Sequence, residues 1–255
     1  MKKVVDENGD VSELKNCHLS IVSKFRFGCC TFADMWSQVA FLIRHEARME
    51  MRQQHTLVGI GLFALATVYL GYRSFNTIED GKTWNALLWI ILLFTAFSAV
   101  GKSFQEQRRG LRLYLYWNVK PQVLILAKLV YNTLLMLLLT AITAIVYSIF
   151  IGTSPVPEGS GAQIALGLAV GAMSFSSLLT LISAISSQSD SGTGLTGVLG
   201  LPIVIPQIIL INTYHTNVFK GILWTENVEN LLMLLVLTGG IFGLSYLLFP
   251  YLWRD

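Results

Sequence analysis

Long apolar runs separated by short polar stretches dominate the sequence from residue 57 onward. Runs such as LLWIILLF (87–94) and LLMLLLTAI (134–142) do not alternate with polar residues, as strands of a membrane barrel would. A hydrocarbon core of roughly 30 Å is crossed by about 20 apolar residues in a helix. The pattern therefore predicts six transmembrane helices, at Leu57–Tyr72, Trp84–Gly101, Val123–Ile151, Gln163–Ser187, Gly194–Asn212 and Leu231–Trp253.

The segment MWSQVAFLIRHEARMEMRQQ (35–54) has a different pattern, in which apolar residues recur at three- and four-residue steps. Arg44, Arg48 and Arg52 fall on another stripe of the same helix. A helix of this kind lies in the membrane interface with its arginines toward anionic head groups. The alternative is that the segment extends the first span into water.

Composition agrees with an integral membrane protein, since 53% of the 255 residues are hydrophobic and only 13% are charged. Soluble domains carry about a quarter charged residues. The predicted fold class is therefore an all-α membrane protein, with six transmembrane helices after an N-terminal interfacial helix. Short basic loops face the cytoplasm, so the basic residues between the second and third spans predict that both termini are cytoplasmic. The net charge of +3 is explained by topology and needs no nucleic-acid partner.

Residues 1–34 differ from the predicted permease domain at 35–255. They are polar and contain all three cysteines, Cys17, Cys29 and Cys30, without the second ligand pair of a zinc site. No apolar core of a signal peptide is present. Two interpretations stay open: a disordered tail, or a start site further along the chain at Met35.

Motifs of catalysis are missing from the sequence. Gly81-Lys82-Thr83 and Gly101-Lys102-Ser103 resemble the end of a phosphate-binding loop, but the earlier glycine of that loop is replaced by Asn76 and Ala96. No pair of carboxylates lies within a predicted span. We expect no catalytic residue, no metal site and no tightly bound cofactor in this chain, so the protein is not an enzyme by itself.

Two features interrupt the apolar spans. Pro202 and Pro206 lie one turn apart in the fifth span, and both remove a backbone hydrogen bond on nearly the same side of the helix. A kink or a break is predicted there. Lys128 lies early in the third span, and its long side chain is expected to reach back to the cytoplasmic interface.

The order of these segments resembles the permease subunits of type-2 ABC exporters. FQEQRRG (104–110), PQVLILAK (121–128) and LGLPIVIP (199–206) follow one another in that order, after the interfacial helix and between the six spans. Over residues 37–255 the chain more closely resembles the haem exporter protein B (CcmB) family of cytochrome c maturation. The positions that match the loop pattern of this family are Glu106, Gly110, Leu111, Leu115, Pro121 and Lys128.

The resemblance implies a permease subunit of the bacterial inner membrane that is present in two copies. Its expected partners are membrane lipid, a cytoplasmic ABC ATPase that binds ATP, a haem-handling membrane protein and a haem chaperone; haem is the ligand that is transported or handled. The basic loop is then the place where the ATPase acts. The residues assigned to this coupling loop are Glu106, Arg108, Arg109, Gly110, Leu111, Arg112, Leu115 and Pro121. A plain positive-inside loop is the alternative.

A polar segment between the last two predicted spans, NTYHTNVFKGILWTENVEN (212–230), is interpreted as aqueous and outside the membrane. His215 and Trp224 are its candidate contacts with a haem-bearing partner. Two other functions stay open at this point. The chain could be a type-2 permease for a drug, lipid or polysaccharide, or a membrane scaffold without transport.

Overall fold

A computed structural model of the protein describes residues 32–52, 54–74, 80–100, 121–152, 156–157, 159–187, 192–222 and 224–252. Only the backbone is described at 32–35, 37, 49–52, 54–57, 192–199 and 252. These ranges contain helices and no strand, which confirms the predicted all-α class. The helices are α1 (Phe32–Arg52), α2 (Gln54–Ser74), α3 (Gly81–Ala99), α4 (Pro121–Ile151), α5 (Gly161–Ser186), α6 (Gly192–Phe219) and α7 (Trp224–Leu252).

The chain divides into two compact units, Met1–Gln38 and Val39–Asp255. Within the first unit the described residues are those of α1 from Phe32 onward. The second unit holds the rest of α1 and the helices α2 to α7. The three cysteines, and the question of a tail or a later start, lie outside the described residues.

Two helix ends are defined by local hydrogen bonds. α3 begins after Asp80, whose carboxylate accepts hydrogen bonds from the backbone N–H groups of Lys82 (3.3 Å) and Thr83 (3.2 Å). α6 ends at Phe219, and Gly221, two residues later, has a φ of 70°. The N–H of Ile222 donates to the Asn217 carbonyl and that of Gly221 to the Val218 carbonyl. This is a Schellman motif, which needs a residue such as glycine in the left-handed region.

α5 lies at the centre of the bundle and packs against α4, α6 and α7. It is buried on most sides, and many of its inward residues are small or hydroxylated. Small residues let neighbouring helices approach closely in a membrane. The buried residues of this kind are Gly167, Gly171, Ala172, Ser174, Ser176, Ser177, Thr180, Ser183, Ala184 and Ser186.

The outer surface of the bundle is strongly apolar. Large side chains such as Leu138 (59% exposed), Ile149 (73%) and Leu247 (67%) point away from the protein. Contiguous apolar surface of this kind marks contact with lipid. Four of the described helices, α3, α4, α5 and α7, contain a segment that is long and apolar enough to cross a membrane, and Val58–Ser74 of α2 is a shorter apolar segment.

α6 differs most from its predicted span. It continues past Asn212 to Phe219, so most of the segment 212–230 is helical instead of being an aqueous loop. Only residues 220–223 separate α6 from α7. The helix is also continuous through Pro202 and Pro206, both of which are exposed, so the predicted break is wrong. A kink at this pair stays a prediction.

Candidate functional site

The predicted ATPase-coupling loop lies almost entirely outside the described residues. Of its candidate residues only Pro121 is described, as the half-buried first residue of α4. Proline is favourable at this position because the first N–H of a helix has no partner within the helix. The candidates that lie outside the described ranges are Glu106, Arg108, Arg109, Gly110, Leu111, Arg112 and Leu115.

Two turns further along α4, Lys128 joins the bundle to α1. Its Nζ lies 3.4 Å from Oε1 of Glu46, and its side chain is only 3% exposed. Lys128 thus reaches back to α1, the predicted interfacial helix, but its ammonium group is buried there instead of exposed to water. An opposite charge offsets much of the cost of burying it. The ion pair holds the C-terminal half of α1 against the beginning of α4.

His215 is not on an outer surface. Its side chain is 0% exposed, and its Nδ1 lies 3.0 Å from the carbonyl oxygen of Ile211, one turn earlier in α6. The prediction that this side chain faces a partner across the membrane surface is wrong. The physical reason is that α6 extends beyond the predicted span and turns the ring toward α5. Trp224 is 39% exposed at the start of α7, so its contact with a partner stays a prediction.

The position of His215 depends on a glycine in α5. A Cβ at Gly167 would lie 2.7 Å from Cε1 and 2.8 Å from Nε2 of His215, far inside van der Waals contact. One turn later, a Cβ at Gly171 would overlap the ring of Trp89. The Trp89 and His215 rings meet edge to face, with 5.4 Å between their centroids. Because Gly167 and Gly171 have no side chain, the rings of His215 (α6) and Trp89 (α3) pack directly against the backbone of α5.

Hydrogen bonds join the same three helices. Asn85 Nδ2 of α3 donates to Asn212 Oδ1 of α6 at 2.7 Å. The Tyr214 hydroxyl donates to the Gln163 carbonyl of α5 at 3.0 Å. Gln207 Nε2 makes a longer bond of 3.4 Å to the carbonyl of Ser174. The hydrogen bond that joins α6 to α5 at Tyr214 is therefore shorter than the one at Gln207, nearer the middle of α6.

Six buried side chains of the described residues have a polar atom with no hydrogen-bond partner. Two of these atoms are Asn85 Oδ1 of α3 and Thr140 Oγ1 of α4, and the other four lie along the contact of α5 with α3 and α6. The four atoms are Trp89 Nε1, Ser174 Oγ, Gln207 Oε1 and His215 Nε2. We call these four side chains the unpaired seam. An unmade hydrogen bond on a buried group costs about 1–3 kcal/mol.

The opposite side of α5 is better paired. Asn132 Nδ2 of α4 donates to Thr180 Oγ1 at 2.9 Å. The hydroxyl of Thr133 donates to the Leu129 carbonyl at 2.7 Å and lies 3.4 Å from Ser176 Oγ. Interhelical bonds between such side chains stabilise membrane bundles. Most of the unpaired atoms therefore lie on the α3 and α6 side of α5, although Thr140 Oγ1 of α4 is unpaired as well.

The sequence interpretation did not identify the unpaired seam. A usable signal was present, because Gly167, Gly171 and Ser174 repeat at four- and three-residue steps along one side of α5. That spacing is typical of a close helix contact. Within the described residues, no group of three or more His, Cys, Asp or Glu side chains could hold a metal ion.

Comparison with known proteins places this arrangement in a family. The model of a family described as CcmB protein matches residues 37–249, which is most of the chain. A search of curated protein sequences finds no match. The matched range begins within α1 and ends within α7, so it includes Lys128, its partner Glu46 and the unpaired seam.

Proposed function

The chain belongs to the CcmB family, and from this premise we propose that it couples ATP hydrolysis on a cytoplasmic ABC ATPase to haem delivery in cytochrome c maturation. Membership makes it a multi-pass membrane component of a haem-exporter ABC transporter, and not an enzyme by itself. The single observation that carries the proposal is the family match over residues 37–249.

The partners follow from the same proposal. Two copies of the chain bind two ATPase subunits on the cytoplasmic side of a bacterial inner membrane, with both termini on that side. A haem-handling membrane protein and a haem chaperone act on the outer face. ATP binds to the partner subunit, and haem is the ligand that is delivered.

We assign the contact with the ATPase to the loop at 102–120. It holds Lys102, Arg108, Arg109, Arg112 and Lys120 and leads directly into α4. Positive residues of such a loop can pair with acidic residues of a partner, which favours binding and orientation. Because α4 begins at Pro121 and Lys128 contacts Glu46, a force on the loop reaches both α4 and α1.

The test replaces Arg108, Arg109 and Arg112 with glutamine. Each lost contact costs on the order of 1 kcal/mol at an exposed charged interface. We expect normal membrane insertion, weaker copurification of the ATPase and reduced haem staining of cytochrome c. The matched control is Lys102→Gln with Lys120→Gln, which removes charge from the same loop outside the RRGLR core.

Three outcomes separate the interpretations. Loss of copurification or haem staining in the arginine variant alone supports coupling through the core of the loop. Normal copurification together with normal haem staining contradicts the coupling assignment. An inverted loop, detected by thiol labelling of an engineered cysteine, means that the arginines serve membrane topology instead.

A further inference from the structure

The unpaired seam follows one line along α5. His215 and Trp89 lie on Gly167 and Gly171, and Gln207 bonds the backbone of Ser174. Seven residues of helix separate Gly167 from Ser174, a rise of about 10 Å. Trp89 is 5% exposed and the other three side chains of the seam are 0% exposed. Four of the six unsatisfied polar atoms among the described residues therefore lie along one contact surface.

The unpaired atoms have complementary chemistry. A carbonyl only accepts hydrogen bonds, so the contact with Ile211 assigns the proton of His215 to Nδ1 and leaves a lone pair on Nε2. Trp89 Nε1–H can only donate, and Gln207 Oε1 can only accept. The hydroxyl of Ser174 can do both. This mixture of uncharged donors and acceptors suits water, which donates and accepts, and lacks the positive charge that an anionic ligand would require.

The contacts that close the seam allow α6 to move away from α5. Gly167 and Gly171 present bare backbone to flat rings, so no α5 side chain at these two positions interlocks with them. The Gln207 bond to α5 is long at 3.4 Å.

Opening at the Asn212 end has to break two stronger bonds, from the Tyr214 hydroxyl to the Gln163 carbonyl (3.0 Å) and from Asn85 to Asn212 (2.7 Å). At one end of the seam, buried Asn85 bonds exposed Asn212. Polar groups thus continue from the buried seam to the surface of α6.

We propose that α6 separates from α5 and α3 during the transport cycle, and that water then enters the seam from the Asn212 end and hydrates the four unpaired side chains. The closed arrangement described above is one end of this movement. Polar groups of the seam can bind water once α6 moves away, which lowers the cost of opening. The inference rests on the proposed function, because it needs an ATP-driven cycle.

The experiment measures access of water to the seam through cysteine labelling. Cys17, Cys29 and Cys30 are first replaced by serine, which leaves a chain without thiols. Ser174→Cys then introduces a single thiol in the seam. Ser176→Cys is the matched control, because Ser176 is equally buried on the same helix but contacts Thr133 of α4. Both variants are reconstituted in lipid with the ATPase and exposed to a small, membrane-impermeant thiosulfonate reagent.

We expect Ser174→Cys to react about tenfold faster during ATP turnover than without nucleotide, as for an open state whose population rises from about 1% to 10%. Ser176→Cys should react slowly in both conditions. Equal, slow labelling of the two variants in all nucleotide states overturns the inference. If Ser174→Cys does not assemble, Gln207→Cys, from the other side of the seam, is judged by the same criterion.

The cysteine-free parent protein distinguishes this failure from failure of the proposed function. Parent protein that binds the ATPase and supports haem delivery upholds the proposed function. Slow labelling of the seam in that background contradicts only the proposal that water enters the seam. The proposed function fails if neither the cysteine-free parent nor the natural sequence binds the ATPase and delivers haem in this assay. The inference then fails with it.

Discussion

Single glycines of α5 decide how closely its neighbours approach. Gly167→Ala would place a methyl group 2.7 Å from Cε1 of His215 and force that ring or the whole helix to move. Overpacking of this kind costs about 1–3 kcal/mol. We expect a lower thermal midpoint in detergent. Gly240→Ala on α7 is the control, because nothing lies within 4 Å of its Cβ position. A midpoint for Gly167→Ala equal to that of the control would contradict this packing.

Asp80 gives the start of α3 a dependence on pH. The Thr83 hydroxyl, followed by the backbone N–H groups of Lys82 and Thr83, holds the pKa of the Asp80 carboxyl below its ordinary value. A lowered pKa in the folded state stabilises the fold above the unfolded pKa, and this contribution is lost as the pH falls through the folded pKa. We therefore expect the thermal midpoint to decrease in acid. Asp80→Asn keeps a capping side chain and should weaken this dependence; an unchanged pH profile would argue against the cap.

The ion pair between Lys128 and Glu46 joins two helices, α4 and α1. Glu46→Gln would leave the buried ammonium without the charge of its carboxylate partner, which should cost on the order of 2 kcal/mol. We expect a lower thermal midpoint for Glu46→Gln and recovery in the exchanged pair Glu46→Lys with Lys128→Glu. Glu229→Gln, an exposed change on α7, controls for loss of a carboxylate. No recovery in the exchanged pair would contradict a direct interaction.

Hydropathy predicts the positions of most helices because lipid selects for long apolar runs. The spans predicted at 123–151 and 163–187 differ from α4 and α5 by at most two residues at either end. The same reasoning failed at 212–219, because Asn212, Tyr214 and His215 look like loop residues. Such side chains are stable within a helix when they face other helices, and one sequence does not state which faces meet. Gly221 carried the missing signal, since glycine commonly ends helices.

The candidate site was predicted less well than the fold. A basic loop is visible in the sequence because charge interrupts an apolar pattern, but its role depends on a partner. The unpaired seam depends on contacts between residues 89, 174, 207 and 215, which are distant in the chain. The small residues of α5 indicate a close contact, and only the structure identifies the rings that occupy it.

Within the described residues of 39–252, the helical bundle has an apolar exterior and a core that contains hydroxyl, amide and imidazole groups. Such a distribution is typical of a helical bundle that is surrounded by lipid. The orientation of the bundle in the membrane can be tested at its two ends. Lys220 is exposed in the α6–α7 turn and Gln122 is exposed at the beginning of α4. In the cysteine-free protein, we expect Lys220→Cys to be labelled from outside the cell and Gln122→Cys only after permeabilisation. Labelling of both from the same side would contradict the proposed orientation.

The short turn at 220–223 also constrains how the chain enters the bilayer. Asn227 of α7 donates to the carbonyl of Tyr214 and accepts from Asn217, so α7 supplies partners for the polar end of α6. Before α7 emerges from the ribosome, that end faces lipid or water without them. We therefore expect α6 to reach its final depth together with α7, as a helical hairpin. A nascent chain that stops at Phe219 would hold the last two turns of α6 at the membrane surface.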